Sequence, residues 1–573
     1  MILCYIWIQD FKGFSNQGFN FSTEYSFDFE VSELKLTRKI NEKFIQNFFS
    51  DDITEITGII GKNASGKTNI LELIQYIAEG ANTIVNKPFL TVFKDDNKYK
   101  IYTFKLQQII CDFDAEKILY EGRIPNINSI YFSNVFDGRR HNFSKKIINL
   151  STNDLLNSQF GENVNKNYQN IIQQQIRFIK SKQFKFLEDI EFSVNKKRRH
   201  QLKPSKVILT SPIWSNIITR VKSFEKKLKD ASFKNVQLGE FVRSFRRKIT
   251  ENKTINSIKY YTAFLVFLDF ILNRDILNYK ESKLYNNEKE YFSIVNELLT
   301  TKQNDLRIDE IYIYFTTEFA QTIDKYWNVF ETSKFLTDLR EFDLGINNSS
   351  YFKEDVGTYA SRRIQFTVEY NEKVGSFLNC YLDAVTNQNL AYSVEWAGMS
   401  SGYKAYLNIF ANFYSILGKI KEKNVLICID EGDLYFHPKW QTEYLYKLIN
   451  ILPMMIGKPC QLILTTHSPF LVSDLPKNNL IFVEKSNNGN LIVIPKEKIE
   501  GETFGGNIGE LYLDAFFMQG SLISHFAASK IKVLIRKVKK KQIQISSEER
   551  ILLGAIGEEL IKSQIKKLID ANN

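Results

Sequence analysis

The sequence predicts an α/β fold in which a head of buried strands and helices is split by a long helical insertion and followed by a helical C-terminal tail. Three observations carry this expectation. The apolar run 56–60 suits a buried strand, and it leads through a glycine loop into NILELIQYIAE, whose apolar residues recur at helical spacing. Near residue 161 the period changes, and Tyr168, Ile172, Ile176 and Ile179 fall on one helix face. Strand patterns return only at 362–370 (RRIQFTVEY), so the two halves of the head lie far apart in the chain.

Residues 1–160 form the first half of the head. Strands are expected within 1–8, 19–30, 53–60, 99–113 and 127–136, with the glycine loop and its helix at 61–80 set among them. Residues 161–340 form the helical insertion, with helices at 216–231, 236–250, 256–273 and 287–300; Pro204 and Pro212 argue against one uninterrupted coiled coil. Residues 341–500 complete the head. They read as a helix at 371–387, a strand at 391–397, a glycine-serine turn opening a long helix, and an apolar strand at 425–430. A helix at 438–451, a buried strand at 460–468, a turn at 487–490 and a strand at 491–495 follow. Residues 501–573 form a helical region for a partner or an oligomer contact, in which Ser546 and Glu549 make a capping box before a helix from Ile551.

With 573 residues, 43% of them hydrophobic and 25% charged, the chain belongs to the globular class and can bury a large core. The net charge of +11 is unevenly placed. Lys196, Lys197, Arg198, Arg199, His200 and Lys203 form one cluster, Arg243, Arg246, Arg247 and Lys248 a second, and Lys530, Lys532, Arg536, Lys537, Lys539, Lys540 and Lys541 a third. Such runs are usually solvated faces, but three of them point to possible DNA contact through phosphates. Five scattered cysteines without a C-x-x-C pair give no zinc site or disulfide framework, which suits reduced thiols in a cytoplasmic protein. The apolar stretch 263–272 is interrupted by Asp269 and is too short to span a bilayer, and the N-terminus has neither a basic start nor a cleavage site. A transporter carrying its own membrane domain is therefore not expected.

The chemistry concentrates at four places. Gly61, Lys62, Asn63, Ala64, Ser65, Gly66, Lys67 and Thr68, followed by Asn69, fill the phosphate-loop pattern G-x-x-x-x-G-K-[ST]. Its backbone N–H groups and the new helix converge on one point, where Lys67 can reach the β- and γ-phosphates of ATP and the Thr68 hydroxyl can ligate Mg²⁺. Asp430 ends the apolar strand and is expected to hold the Mg²⁺ shell; Glu431, next to it, is the expected base for the attacking water. His467 follows a second buried strand, in the position that sensing a γ-phosphate requires. Ser400, Ser401 and Gly402 open another helix and so offer a second anion-binding end. Two helix N-termini for one triphosphate suggest that the second serves another subunit, hence a homodimer or higher oligomer.

In order and spacing, GKNASGKTN, MSSGYK, LICIDEGDLYFHP and TTHSPFL resemble the Walker A, signature, Walker B with D-loop, and H-loop motifs of ABC-type ATPases. They look like the OLD, RecF and SMC branch, in which a helical insertion divides the ATPase head; FHP and THSPFL are particularly like the OLD group. The resemblance covers about 1–160 and 340–490 and is only architectural over the insertion. It implies an ABC-type P-loop ATPase that closes around ATP between two heads. Tyr403 stands where the signature usually has an acidic or amide residue, and IYFSNVFDG offers Ser133 and Asn134 but no Q-loop glutamine.

OLD nucleases continue into a Toprim domain, whose Asp-x-Asp does not occur after His467. That implies an ATPase without its own nuclease. The stretches 5–22 and 502–531 resemble the ATPase subunits of Septu-type and retron-associated antiphage systems. This second resemblance implies a separately encoded HNH nuclease as partner, with the reverse transcriptase and RNA–DNA of a retron as further partners. Two alternatives stay open: a DNA-repair ATPase of RecF or SMC type acting as a DNA clamp, and a structural hub that holds ATP as a bound cofactor.

Overall fold

A computed structural model describes residues 1–573 apart from 81–83, 107, 136, 140, 142, 145, 158–163, 195–203, 231–237, 252–255, 274–305, 328, 343–350, 355–361, 386–389, 515–523, 540–545 and 571–573. The fold is mixed α/β. Its centre is a 12-stranded sheet. One half has the order Ile148–Asn149, Ile127–Ser133, Asn424–Asp430, Cys460–Thr465, Ile53–Gly61, Leu480–Lys485, all parallel. The other continues through Leu491–Ile494, Phe14–Asn20, Ile2–Phe11, Phe89–Asp95, Lys98–Phe104 and Glu116–Leu119, where antiparallel pairs dominate.

The parallel strands are buried on both faces. Ile427, Ile429, Leu462 and Leu464 point into one core, whereas Leu426, Cys428 and Ile463 point into another. Double burial is why these segments read as unbroken apolar runs in the sequence. The helix Lys67–Glu79 covers the second face with Ile70, Leu71, Leu73, Ile74 and Ile77. Because the strands run parallel, their carboxyl ends at Gly61, Ser133, Asp430 and Thr465 arrive at one edge of the sheet. Open α/β sheets bind ligands at that edge.

The core on the first face continues into the helices Val164–Ile179, Lys182–Val194, Trp214–Asp230, Leu238–Glu251 and Ser257–Asn273, whose buried side chains belong to the same apolar cluster. Their packing is aromatic: the rings of Phe245 and Phe264 stack at 4.2 Å, and Phe178 meets Tyr414 at 5.7 Å. One expectation needs correction here. Lys206–Thr210 is a strand, inserted between Ile364–Glu369 and Ser393–Ala397 in a four-stranded sheet, so the stretch 161–340 is not wholly helical. Five residues between two prolines are too few to declare a period against long helices on either side. The hairpin strand Phe89–Asp95 was likewise unexpected. The expected helix at 287–300 and the basic cluster of residues 196–203 lie outside the described residues.

In the tail Ser546 Oγ accepts from the Glu549 N–H at 3.2 Å, and the Glu549 carboxylate accepts from the Ser546 N–H at 3.1 Å. The expected continuous helix is broken into Ser547–Ala555 and Glu559–Asp570, where Gly554 and Gly557 lower the helical preference. With His525–Lys539 these helices share a small core of Leu534, Val538, Leu553, Ile556 and Ile565. Among the described residues no helix is long and apolar enough to cross a membrane.

Candidate nucleotide-binding site

The glycine loop follows its strand directly and turns into its helix at Gly66, whose φ of 88° lies in the left-handed region. A Cβ at that position would also come within 2.5 Å of the Leu491 side chain. The first helical turn contains no acidic residue, so its positive end is not neutralised from within. Lys67 is buried, and its Nζ donates to the carbonyls of Gly61 and Lys62 at 3.1 and 3.2 Å. Burial pulls the Lys67 ammonium down to about 8, against the opposing pull of Glu431 and Asp430.

Asp430 sits across the loop. The Thr68 hydroxyl donates to its two carboxylate oxygens at 3.2 and 3.0 Å, Thr465 Oγ1 donates to Oδ1 at 2.6 Å, and the Tyr131 hydroxyl donates to Oδ2 at 3.1 Å. Burial raises the Asp430 carboxyl above its ordinary range, and the hydrogen bonds from Thr465, Thr68 and Tyr131 oppose the shift. Glu431 has a left-handed φ of 47°, and its N–H donates to Thr465 Oγ1 at 2.9 Å. Its Oε1 lies 3.5 Å from His467 Nε2, and this contact holds the Glu431 carboxyl below the ordinary range. Asp433 is turned away: it accepts from Thr466 Oγ1 at 2.6 Å, and burial lifts it to about 6.

Residues 63–69, Asp430, Glu431 and His467 line one cleft of about 490 Å³. Lys62 instead leans on Glu484 at 3.2 Å. The donor set fits a magnesium-bearing polyphosphate. Hard oxygens from Thr68 and Asp430 stand together as Mg²⁺ requires, and the buried Ser65 hydroxyl, in the loop that would face the phosphates, has no hydrogen-bond partner among the described residues. Ser400, Ser401 and Gly402 do not line this cleft. Ser400 caps the helix Ser401–Ser415 by accepting from the Tyr403 N–H, and Ser401 borders a separate apolar recess with Asn134 and Tyr435.

A family model described as an AAA ATPase domain matches residues 1–472. The chain belongs to that family. Over 94 residues it is 37% identical to the Septu protein PtuA of Bacillus thuringiensis, a stretch covering 14% of this chain and 22% of the relative. Over 121 residues it is 30% identical to protein ea59 of Escherichia phage lambda, covering 21% of each. The chain thus spans about a fifth of the length of these curated relatives.

Several residues of this AAA ATPase domain that border the cleft carry no motif. Asp137, Arg139, His141 and Asn153 supply one wall. Asp137 accepts from Asn153 Nδ2 at 2.8 Å, while Arg139 and His141 both reach Glu72 on the loop's helix at 3.0 Å. The one signal in the sequence that this strand approaches the site was the resemblance, which puts the Q-loop within IYFSNVFDG; Ser133 from that stretch does line the cleft. The second basic cluster is partly absorbed by packing: Arg246 lies over the Trp214 ring at 4.8 Å, and Lys248 donates to the Leu306 carbonyl at 2.6 Å. Arg243 and Arg247 are exposed, and in the third cluster Lys537 pairs with Glu549 at 2.5 Å.

Proposed function

We propose that this chain is an ABC-type ATPase of the OLD-like group, two copies of which close over ATP and Mg²⁺, and that it controls a separately encoded nuclease in bacterial defence against phage. One observation carries the catalytic part. Lys67, Thr68, Asp430, Glu431 and His467, drawn from three distant segments, meet in a single cleft. In this reading residues 1–160 and 341–500 form the head, 161–340 the insertion, and 501–573 the contact region for the nuclease or for further copies. The similarity to the Septu protein PtuA supports the defence role and a partner within a defence system.

Lys67 and the loop N–H groups bind the phosphate chain, and Thr68 with Asp430 would hold the metal. Bound Mg²⁺ would neutralise phosphate charge as it develops on the leaving group. Glu431, ionised because its carboxyl lies low, takes the proton of the attacking water as the water oxygen bonds to the γ-phosphorus and the bond to the β-phosphate oxygen breaks. His467 fixes Glu431 from behind and reports the γ-phosphate. Ser400, Ser401 and Gly402, which stay outside the cleft of their own chain, serve the nucleotide of the second copy. Mass photometry of Glu431→Gln protein tests the closure: ATP with Mg²⁺ is expected to double the particle mass or build a larger assembly, and a mass that ignores nucleotide would overturn it.

A further inference from the structure

Tyr131 belongs to none of the motifs, yet its phenol reaches the carboxylate at the centre of the cleft. We infer that Tyr131 is a positioning residue that fixes the rotation of the Asp430 carboxylate for metal binding, an inference that rests on the metal-holding role proposed for Asp430. The strand Asn424–Asp430 is flanked by Ile127–Ser133 on one side and Cys460–Thr465 on the other. Each neighbour sends one hydroxyl to a different oxygen, Thr465 to Oδ1 at 2.6 Å and Tyr131 to Oδ2 at 3.1 Å. Donors on both oxygens, from opposite sides, set the plane of the carboxylate. One donor alone leaves it free to turn. The Thr68 hydroxyl cannot be the fixed clamp, because it is itself a group that must turn towards the metal.

The phenol is in turn held from behind. Tyr131 is fully buried and pairs in register with Cys428, two residues before Asp430, so its ring runs along the sheet towards the carboxylate. It packs edge-on against His141 at 4.8 Å and Phe143 at 5.1 Å, and those two rings stack on each other at 5.0 Å. His141 Nδ1 lies 3.0 Å from Glu72 Oε1 on the loop's helix. The Glu72 side chain is 2% exposed and also binds Arg139 and Lys12, so it is a fixed anchor. A continuous line of contacts therefore runs from the phosphate-binding helix through Glu72, His141 and Tyr131 to Asp430. It keeps the metal carboxylate in register with the helix that presents Thr68.

Tyr131→Phe keeps the ring and deletes the hydroxyl. In Mg²⁺ titrations of a fluorescent ATP analogue on the full chain, its Mg²⁺ midpoint is expected to rise about 10-fold or more, while analogue binding in EDTA and the melting temperature stay at wild-type values. His141→Phe, which keeps the stack and loses the bond to Glu72, is expected to shift the midpoint the same way by less. An unchanged midpoint in Tyr131→Phe overturns the inference, and so does a shift matched by equal loss of EDTA binding and thermal stability, which marks a merely structural tyrosine. Should Tyr131→Phe not fold, His141→Phe decides by the same criterion. Asp430→Asn separates the two levels: if it leaves the midpoint unchanged, the metal role of Asp430 itself fails, whereas a lost response there beside an unchanged Tyr131→Phe removes only the role of the tyrosine.

Discussion

The Tyr403 ring meets the Trp440 ring edge-on, with centroids 4.2 Å apart and planes at 70°. This contact ties the start of the helix Ser401–Ser415 to the start of Pro438–Ile456. It shows what an aromatic residue does at a position where the resemblance leads one to expect an acid or amide. Gly402 belongs to the same joint, since a Cβ there would lie 2.9 Å from the Tyr435 carbonyl oxygen and 3.0 Å from the Trp440 ring. Any side chain at 402 therefore disturbs its own chain first.

Ser401 is the cleaner place to test action between subunits. It is exposed at the first helical position, where an aspartate favours its own helix and, in the proposed closed pair, would place a negative charge against a partner's triphosphate. Lys67→Ala and Ser401→Asp homodimers are each expected to lose hydrolysis. A mixture with verified subunit exchange is expected to recover about a quarter of wild-type activity, because half of the dimers hold one intact site. No recovery in proven mixed dimers would contradict the arrangement.

Lys67→Ala is expected to weaken ATP binding about 10-fold or more, the loss of a charge-assisted contact worth roughly 1.5–3 kcal/mol. Fluorescence titration with ATP and Mg²⁺ measures it. Equal affinities would remove Lys67 from the phosphate site.

Stability should also carry a pH signature from Glu55, far from the loop on the same strand. Burial lifts this carboxyl from an ordinary 4.5 to about 7, although Thr23 and Lys496 oppose the shift. The folded state then binds a proton more tightly than the unfolded state, so stability falls as pH rises from about 4.5 through 7. The difference corresponds to about 3 kcal/mol at most. Glu55→Gln is expected to flatten this slope, so that its stability relative to wild type grows between pH 5 and pH 8 in urea unfolding. Parallel pH profiles for the two proteins would show that Glu55 titrates normally.

The phosphate loop, Asp430, Glu431 and His467 were legible in the sequence because each lies within a few residues of a strand end, and strand ends announce themselves through local apolar runs. Tyr131 was not. Tyr131 reaches Asp430 across 299 residues of chain, through a pairing of Ile127–Ser133 with Asn424–Asp430 that no local pattern encodes. Arg139 and His141 lie in a stretch without periodicity, and distant groups give them a place: Glu72 binds both, and His141 also packs against Tyr131. Lys206–Thr210 was hidden for a related reason: its partners Ile364–Glu369 and Ser393–Ala397 follow more than a hundred residues later. The tail differed because two glycines divide one amphipathic pattern into two helices.

The most direct test of an ATPase at this cleft is phosphate release measured beside ATP binding for wild type and Glu431→Gln. The amide keeps the shape of the side chain and loses the base, so the variant is expected to bind ATP within about 3-fold of wild type and to release phosphate at least about 100-fold more slowly. Hydrolysis by Glu431→Gln at the wild-type rate, or wild-type protein that binds ATP with Mg²⁺ and never releases phosphate, would contradict it.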